Sequence, residues 1–557
     1  MLITDQELKE LVVKNNLIDQ EGIDTLLDYI KDTDTTLTDA LIEKGIITDE
    51  KLGILIADHL KIPFIVLSKS TIPDDIFRII PERIARKQMT IPFGRDVNGI
   101  KIAMVDPKNI NILKVISNKT GEKVVPYLAT ERDIGNTFYI YRKDLQKTFD
   151  ELLQLSTLNT ANEAPIAKLV DMMLDYASQD KASDIHIEPQ EKDTIIRFRI
   201  DGMLHDILKL PGTLHDRIIT RIKVLSRLRT DEHMAAQDGK MRFHSDIEVM
   251  DIRVSILPIV DGEKVVMRLL STHARQFSLV DLGMKEKDLN KVTKAMKKSY
   301  GMILSTGPTG SGKSTSIYAI LRILNRREKN ITTIEDPVEY RMKGVNQINV
   351  NIKAGLTFAN GLRSILRQDP NIILVGEIRD IETSGIAINA ALTGHLVVST
   401  LHTNDSATAL PRLIDMKVEP FLVASTINAI IAQRLIRKTC EMCKTSITIP
   451  FDELAKNIPK ELILKHLGEP PEIRVYKGQG CKVCHMTGYT GRIGVFEVLE
   501  ISNSIRKLIV NKSDADDIVK TAISEGMTTM LDDGLEKVKT GLTSIEEVLR
   551  VAKVESS

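Results

Sequence analysis

Tryptophan is absent from this chain, and aromatic residues make up only 4% of its 557 positions, so platforms for stacking nucleic-acid bases are poorly supplied. Net charge is missing too. Lys plus Arg total 76 and Asp plus Glu total 76, which removes the overall electrostatic footprint of a nucleic-acid binder; no nucleic-acid partner is expected. No long apolar run occurs: the nearest, Val418 to Leu435, is broken by Glu419, Asn428, Gln433 and Arg434. The opening MLITDQELKE has neither a basic nor an apolar region of the kind that directs export, so a cytoplasmic protein is expected. Cysteine is scarce, and all four copies sit in two CxxC pairs, which in a reducing compartment reads as metal before disulfide. What remains is ordinary globular usage, 42% hydrophobic and 27% charged, over a length that suits about three or four domains.

The first sixty residues are helical in period and hold a quiet repeat. Val12, Leu17, Ile23 and Leu26 recur 29 residues later as Leu41, Ile46, Leu52 and Leu55, with turns at Asn16 and Gly45. IPFIVL (62–67) reads as a short strand, and a small α/β unit follows to about Tyr141. The polar stretch QLSTLNTANEAP (154–165) is a linker by composition. Beyond it a helical run (166–177) precedes alternating runs at 184–189, 194–200, 251–260 and 263–270. Asp-Gly pairs at 201–202 and 261–262 predict antiparallel strands joined by tight turns. From about Leu279 the pattern changes to short, apolar, β-branched runs (302–306, 331–336, 371–376, 395–400) alternating with helical ones. That is the pattern of parallel strands buried on both faces.

Gly307-Pro308-Thr309-Gly310-Ser311-Gly312-Lys313-Ser314, followed by Thr315, matches GxxxxGK[ST] between a strand-like run and a helix-forming one. Glycines let successive N–H groups face phosphate oxygens, the helix adds its positive end, Lys313 reaches the β/γ-phosphates of ATP, and Ser314 offers a hydroxyl to Mg²⁺. Three further strand ends carry polar groups where open α/β sheets bind ligands. NIILVGEIRD presents Glu377, a carboxylate suited to the Mg²⁺ shell; TIEDPVEY presents Glu335, Asp336 and Glu339; TGHLVVSTLHTND presents His395 at the start of a run and His402 at its end. Either Glu335 or Glu339 could deprotonate an attacking water.

Cys440-x-x-Cys443 and Cys481-x-x-Cys484 stand 37 residues apart and offer four thiolates, the set a structural Zn²⁺ takes. The intervening segment has too little apolar surface to form a core unaided, so a metal staple is expected there. A redox pair is the alternative, although neither CxxC opens a βαβ unit.

With these segments in hand the chain resembles the PilB/GspE superfamily of secretion ATPases, which powers type IV pilus extension and type II secretion. The resemblance rests on GPTGSGKST (307–315), TIEDPVEY (333–340), ILVGEIRD (373–380) and TGHLVVSTLHTND (393–405), in that order. It implies a multidomain α/β fold: a mostly helical N-terminal docking domain (1–142), a linker (143–164), a small α+β domain (165–278) and a RecA-like P-loop ATPase domain (279–557). The last would include a zinc module (436–496) and C-terminal helices (497–557). It also implies Glu339 as activator of water, with Glu335 its rival, Glu377 acting through Mg²⁺, and His402 reading the γ-phosphate. A homohexamer is implied, working on an inner-membrane platform protein at the inner face of the membrane. In such a ring Arg197 and Arg199, two apart on one strand face, are expected to reach a neighbour's phosphates; Arg253 and Arg268 are weaker candidates. The alternative is that these arginines pair with acids such as Asp201 and Glu263. TGYTGR (487–492) after the second CxxC also follows the extension and secretion motors. Some relatives bind cyclic di-GMP through an N-terminal motif; here Thr36, Thr38 and His59 replace its Arg, Gly and Gln, so that ligand is not expected. Pilus extension and type II secretion share the same boxes, and a P-loop nucleic-acid translocase is the more distant alternative.

Overall fold

A computed structural model describes residues 2–19, 22–24, 26–27, 30, 36–44, 46–70, 72–141, 164–244, 249–270, 277–468, 471–481 and 483–552. The expected turn at Gly45 and, apart from Ala164, the expected linker at 143–164 lie outside these. The chain forms two compact units: Ile65–Ala274, and Met1–Phe64 together with Arg275–Ser557.

The first unit contains two sheets. In the smaller, β1 (Thr90–Asp96) and β2 (Gly99–Met104) pair antiparallel, while β3 (Val124–Leu128) pairs parallel to β2 after the crossover helix Ile110–Thr120. Ile91, Ile100, Ile102 and Met104 bury one face against Ile116 and Phe138. IPFIVL does not become a strand. Ile65 donates one bond to Leu128 O (3.0 Å), and Leu67–Lys69 turns as a 3₁₀ helix. The larger sheet comprises β4 (Asp184–Pro189), β5 (Asp193–Ile200), β6 (Met203–Pro211), β7 (Gln237–His244), β8 (Val249–Ile259) and β9 (Gly262–Leu270), all antiparallel in the order β6-β5-β4-β9-β8-β7. Its alternation puts Ile185, Ile196, Phe198, Val254 and Met267 on a face covered by the helices Ala164–Gln179 and His215–Leu225. Asp201 and Gly202 both take positive φ in the β5–β6 turn, as the Asp-Gly pair predicts. At the second pair the turn shifts by one residue: Ile259 faces Gly262, so Val260 and Asp261 form the turn.

The second unit is built on a seven-stranded sheet of β10 (Gly301–Thr306), β11 (Ile331–Glu335), β12 (Asn346–Asn349), β13 (Ile372–Val375), β14 (Leu396–Leu401), β15 (Ile427–Thr439) and β18 (Tyr489–Glu500). The order is β12-β11-β13-β14-β10-β15-β18, and only β18 runs antiparallel. β10, β11, β13 and β14 are buried throughout, because helices cover both faces; this is why they read as continuous apolar runs. A hairpin of β16 (Lys444–Pro450) and β17 (Glu472–Gly478) is inserted between β15 and β18. The N-terminal helices Asp5–Lys14, Leu37–Glu43 and Asp49–Leu60 pack through Leu8, Val12, Leu37, Leu41 and Leu52. Lys44 Nζ donates to Arg322 O (2.5 Å) and Asn325 O (2.8 Å), placing a cation at the negative end of the helix Lys313–Leu324. Among the described residues no helix is long and apolar enough to cross a membrane.

Candidate nucleotide and metal sites

β10 runs level with its neighbours, so Thr306 lies opposite Leu401 on β14 and Ala432 on β15. The residues that follow, Gly307, His402 and Gln433, therefore emerge at one end of the sheet. Gly307 has φ +143, and a Cβ there would meet Gln433 O at 2.5 Å. Gly312 has φ +89, and a Cβ there would meet Gln433 Nε2 at 2.7 Å. Backbone blocks a side chain at Gly307, and the positive φ at both positions favours glycine, which is the physical content of the motif. Pro308, Thr309 and Gly310 form its exposed rim; Ser314 is exposed and Thr315 half-buried on the first helical turn. Lys313 is buried, with Nζ donating to Gly307 O (2.7 Å) and Pro308 O (3.0 Å). Burial pushes its pKa down, and the Glu377 carboxylate works against that fall. Gln433 Oε1 accepts from Ser316 Oγ at 2.6 Å, while Gln433 Nε2 and Ser311 Oγ are buried without a partner among the described residues.

Glu377 follows β13 and forms an ion pair at Oε2 with Arg379 (Nε at 2.6 Å), with His402 Nε2 3.3 Å from the same oxygen. The next loop is held by Arg434, which donates to Asn404 Oδ1 (3.3 Å), and by Thr306 Oγ1, which donates to Asp405 O (3.2 Å). His395 lies at the opposite end of β14, where Nδ1 is 3.0 Å from Ala390 O at a helix end; its position is structural. The two acids of TIEDPVEY differ sharply. Glu335 is 5% exposed, and its carboxylate accepts from Tyr318 Oη, from Thr333 Oγ1 (2.6 Å) and from Gln347 Nε2 (3.4 Å). Glu339 is exposed, and its N–H donates to Tyr318 Oη at 3.3 Å. Sequence reasoning missed Tyr318, Arg379 and Gln433. Arg379 stands two residues after Glu377 and could have been noticed; Gln433 lies more than a hundred residues from the loop it supports and gives no local signal.

Arg197 and Arg199 belong to the other unit. They share the half-buried face of β5, opposite Phe198. Arg197 pairs with Glu188; Arg199 Nε is 3.5 Å from Asp184, and Arg268 Nε is 3.0 Å from the same residue. The acids they meet are thus Glu188 and Asp184, whereas Glu263 takes Lys223 (2.7 Å) and His233 (2.7 Å). Asp184 faces Arg199 and Arg268 across β4, and Arg268 faces Arg253 on β8, so three arginines and one buried carboxylate form a row across the sheet. Arg253 and Arg268 are like charges set opposite one another, whereas Asp184 offsets the charge of Arg199 and Arg268.

The two CxxC pairs meet at the base of the β16–β17 hairpin. Cys440 Sγ is 3.9 Å from Cys481 Sγ, Cys443 Sγ is 3.9 Å from Cys484 Sγ, and Cys481 Sγ is 3.7 Å from Cys484 Sγ. A tetrahedron with Zn–S bonds of about 2.3 Å has edges of about 3.8 Å, so the donor set fits Zn²⁺. N–H groups of Gly480 (3.3 Å), Cys481 (3.1 Å) and Gly488 (3.2 Å) point at the sulfurs and favour thiolates. The insert does not form its core unaided; the C-terminal helices complete it. Leu454, Ile458, Ile463, Ile473 and Val475 are buried with Leu531, Leu535, Val538 and Val548 of the C-terminal helices. Asp532 there accepts from Lys465 (2.7 Å) and His466 (2.7 Å); burial opposes its ionisation, but these bonds bring its pKa down to about 2.

Residues 159–550 match the type II/IV secretion system protein family, and residues 60–139 match the MshEN domain. The positions compared above with a cyclic di-GMP motif, Thr36, Thr38 and His59, lie outside the second match. The type IV pilus assembly ATPase PilB of Myxococcus xanthus is 37% identical over 97% of this chain and 98% of its own. The type II secretion system protein E of Pseudomonas aeruginosa is 43% identical over 74% of this chain and 80% of its own. Among solved structures, the ATPase DotB of Legionella pneumophila superposes with a TM-score of 0.51 over 69% of this chain and 95% of its own, at 22% identity, which is a likeness of fold.

Proposed function

Because this chain belongs to the type II/IV secretion system protein family and is an ATPase, we propose that it is a motor that assembles pilus or pseudopilus subunits. It works as a RecA-like homohexamer on an inner-membrane platform protein, from the cytoplasmic side. Pilus extension is the favoured assignment, and coverage carries it: the likeness to the pilus assembly ATPase runs through 97% of the chain, N-terminal helices included. Type II secretion is the second reading, supported by 43% identity over the shorter shared region.

In this reading Lys313 and the backbone N–H groups of 309–315 bind the ATP phosphates. Ser314 and Glu377 offer the hard oxygen donors that Mg²⁺ takes, and the ion when bound neutralises phosphate charge. Glu339 takes the proton of the attacking water, since it is exposed on its loop, whereas Glu335 is buried beneath three donors. His402, held beside Glu377, reads the γ-phosphate. Arg197 and Arg199 serve the phosphates of a neighbouring subunit, and Zn²⁺ closes the four-cysteine cluster.

The test is phosphate release by the purified protein in the presence of the platform protein's cytoplasmic domain or of single-stranded DNA. Stimulation by the first and none by the second is expected. A large stimulation by DNA alone would reassign the chain as a translocase.

A further inference from the structure

Tyr318 lies on the helix that begins with Lys313, and its side chain is 2% exposed. Its hydroxyl has one proton and two lone pairs, and this structure uses both functions at once: Oη donates to the buried Glu335 carboxylate and accepts the N–H of Glu339 at 3.3 Å. Glu335 closes β11, and Glu339 stands on the loop four residues later. Tyr340 adds an edge-to-face contact, its ring centroid 4.5 Å from that of Tyr318.

We propose that Tyr318 and Glu335 form a positioning pair that fixes the loop of Glu339 to the nucleotide-binding helix, so that Glu339 is aimed only while that helix is in place. The idea rests on the reading of Glu339 as the activator of water. Three observations support it. A buried carboxylate is costly unless several donors satisfy it, and Glu335 has Tyr318, Thr333 and Gln347. Burial and the Glu335 charge both push the Tyr318 pKa up, so the phenol stays a donor across the working pH range. The helix carrying Tyr318 also carries Lys313 and Ser314, so movement of the phosphate-binding turn passes directly to the loop. An apolar phenyl ring would pack as well as a phenol but could not do this.

Tyr318→Phe removes the hydroxyl alone. The expected result is a fall in kcat of at least about tenfold with the KM for ATP within about twofold, because aim is lost and phosphate binding is not. Glu335→Ala should give a similar fall, and the double variant should be no slower than the worse single one, since both remove one link. Additive losses, or KM rising in step with falling kcat, would mark a structural role and overturn the proposal. Should Tyr318→Phe fail to fold by circular dichroism, Glu335→Ala decides: wild-type turnover there overturns it. Glu339→Gln is the separate control. If that variant hydrolyses ATP normally, the base assignment falls; if it is inactive while Tyr318→Phe keeps full kcat, only the positioning pair falls.

Discussion

Glu547 provides a quantitative test of how the C-terminal helices are fastened to the sheet. Its carboxylate is 2% exposed and receives four donors: Arg437 NH2 (2.6 Å), Arg437 N–H (2.9 Å), Arg550 Nε (3.0 Å) and Arg550 NH2 (2.8 Å). Burial alone would raise its pKa, but the Arg550 and Arg437 bonds bring it from 4.5 to about 2. At about 1.4 kcal/mol per unit, ionisation of Glu547 contributes about 3 kcal/mol. The folded-state pKa is depressed, so this stabilisation is complete above about pH 4.5 and is lost as pH falls through about 2. Glu547→Gln removes the charge at every pH and turns an N–H₂ towards two guanidinium groups. Hydrogen exchange reads the local opening directly. Protection of residues 436–439 and 545–552 should fall about a hundredfold at pH 7, and the gap should shrink to less than half that free energy near pH 3. Full protection in the variant at pH 7, or an equal loss at both pH values, would refute the ionic account.

Lys313→Ala should leave the fold intact and reduce ATP turnover below about a tenth of wild type, measured by phosphate release, because the charge aimed at the phosphates is gone. Replacing Cys440 and Cys443 together with Ser should release about one equivalent of zinc per chain by metal analysis and loosen residues near 436–496, while ATP still binds. If the chain forms the proposed hexamer, rings mixed from Lys313→Ala and Arg197→Ala chains, each inactive alone, should regain part of the activity when the arginine acts on a neighbour's nucleotide; no recovery at any ratio would place it on its own chain's.

The sequence by itself determined whatever depends on near neighbours along the chain. Continuous β-branched runs marked the buried strands, period-two runs marked β4, β5, β8 and β9, and the glycines of 307–312 marked a turn of positive φ. In the larger antiparallel sheet the edge strands β6 and β7 escaped, since their residues are mixed and polar, and in the second unit β12, β15, β16, β17 and β18 escaped as well. The pairing of CxxC with CxxC was also legible, since four thiolates have few other uses. Tertiary structure alone decided which polar groups meet. Glu335 and Glu339 are equivalent in a string of letters, yet a tyrosine 17 residues earlier buries one and leaves the other at the surface. Gln433 comes under the phosphate turn, Glu188 and Asp184 take the arginines, and Arg437 meets Glu547 across 110 residues, because strand register and helix packing bring together groups that the chain keeps far apart. The energy of a polar contact depends on burial and on distances of a few ångströms, and neither is a property of spacing along the chain.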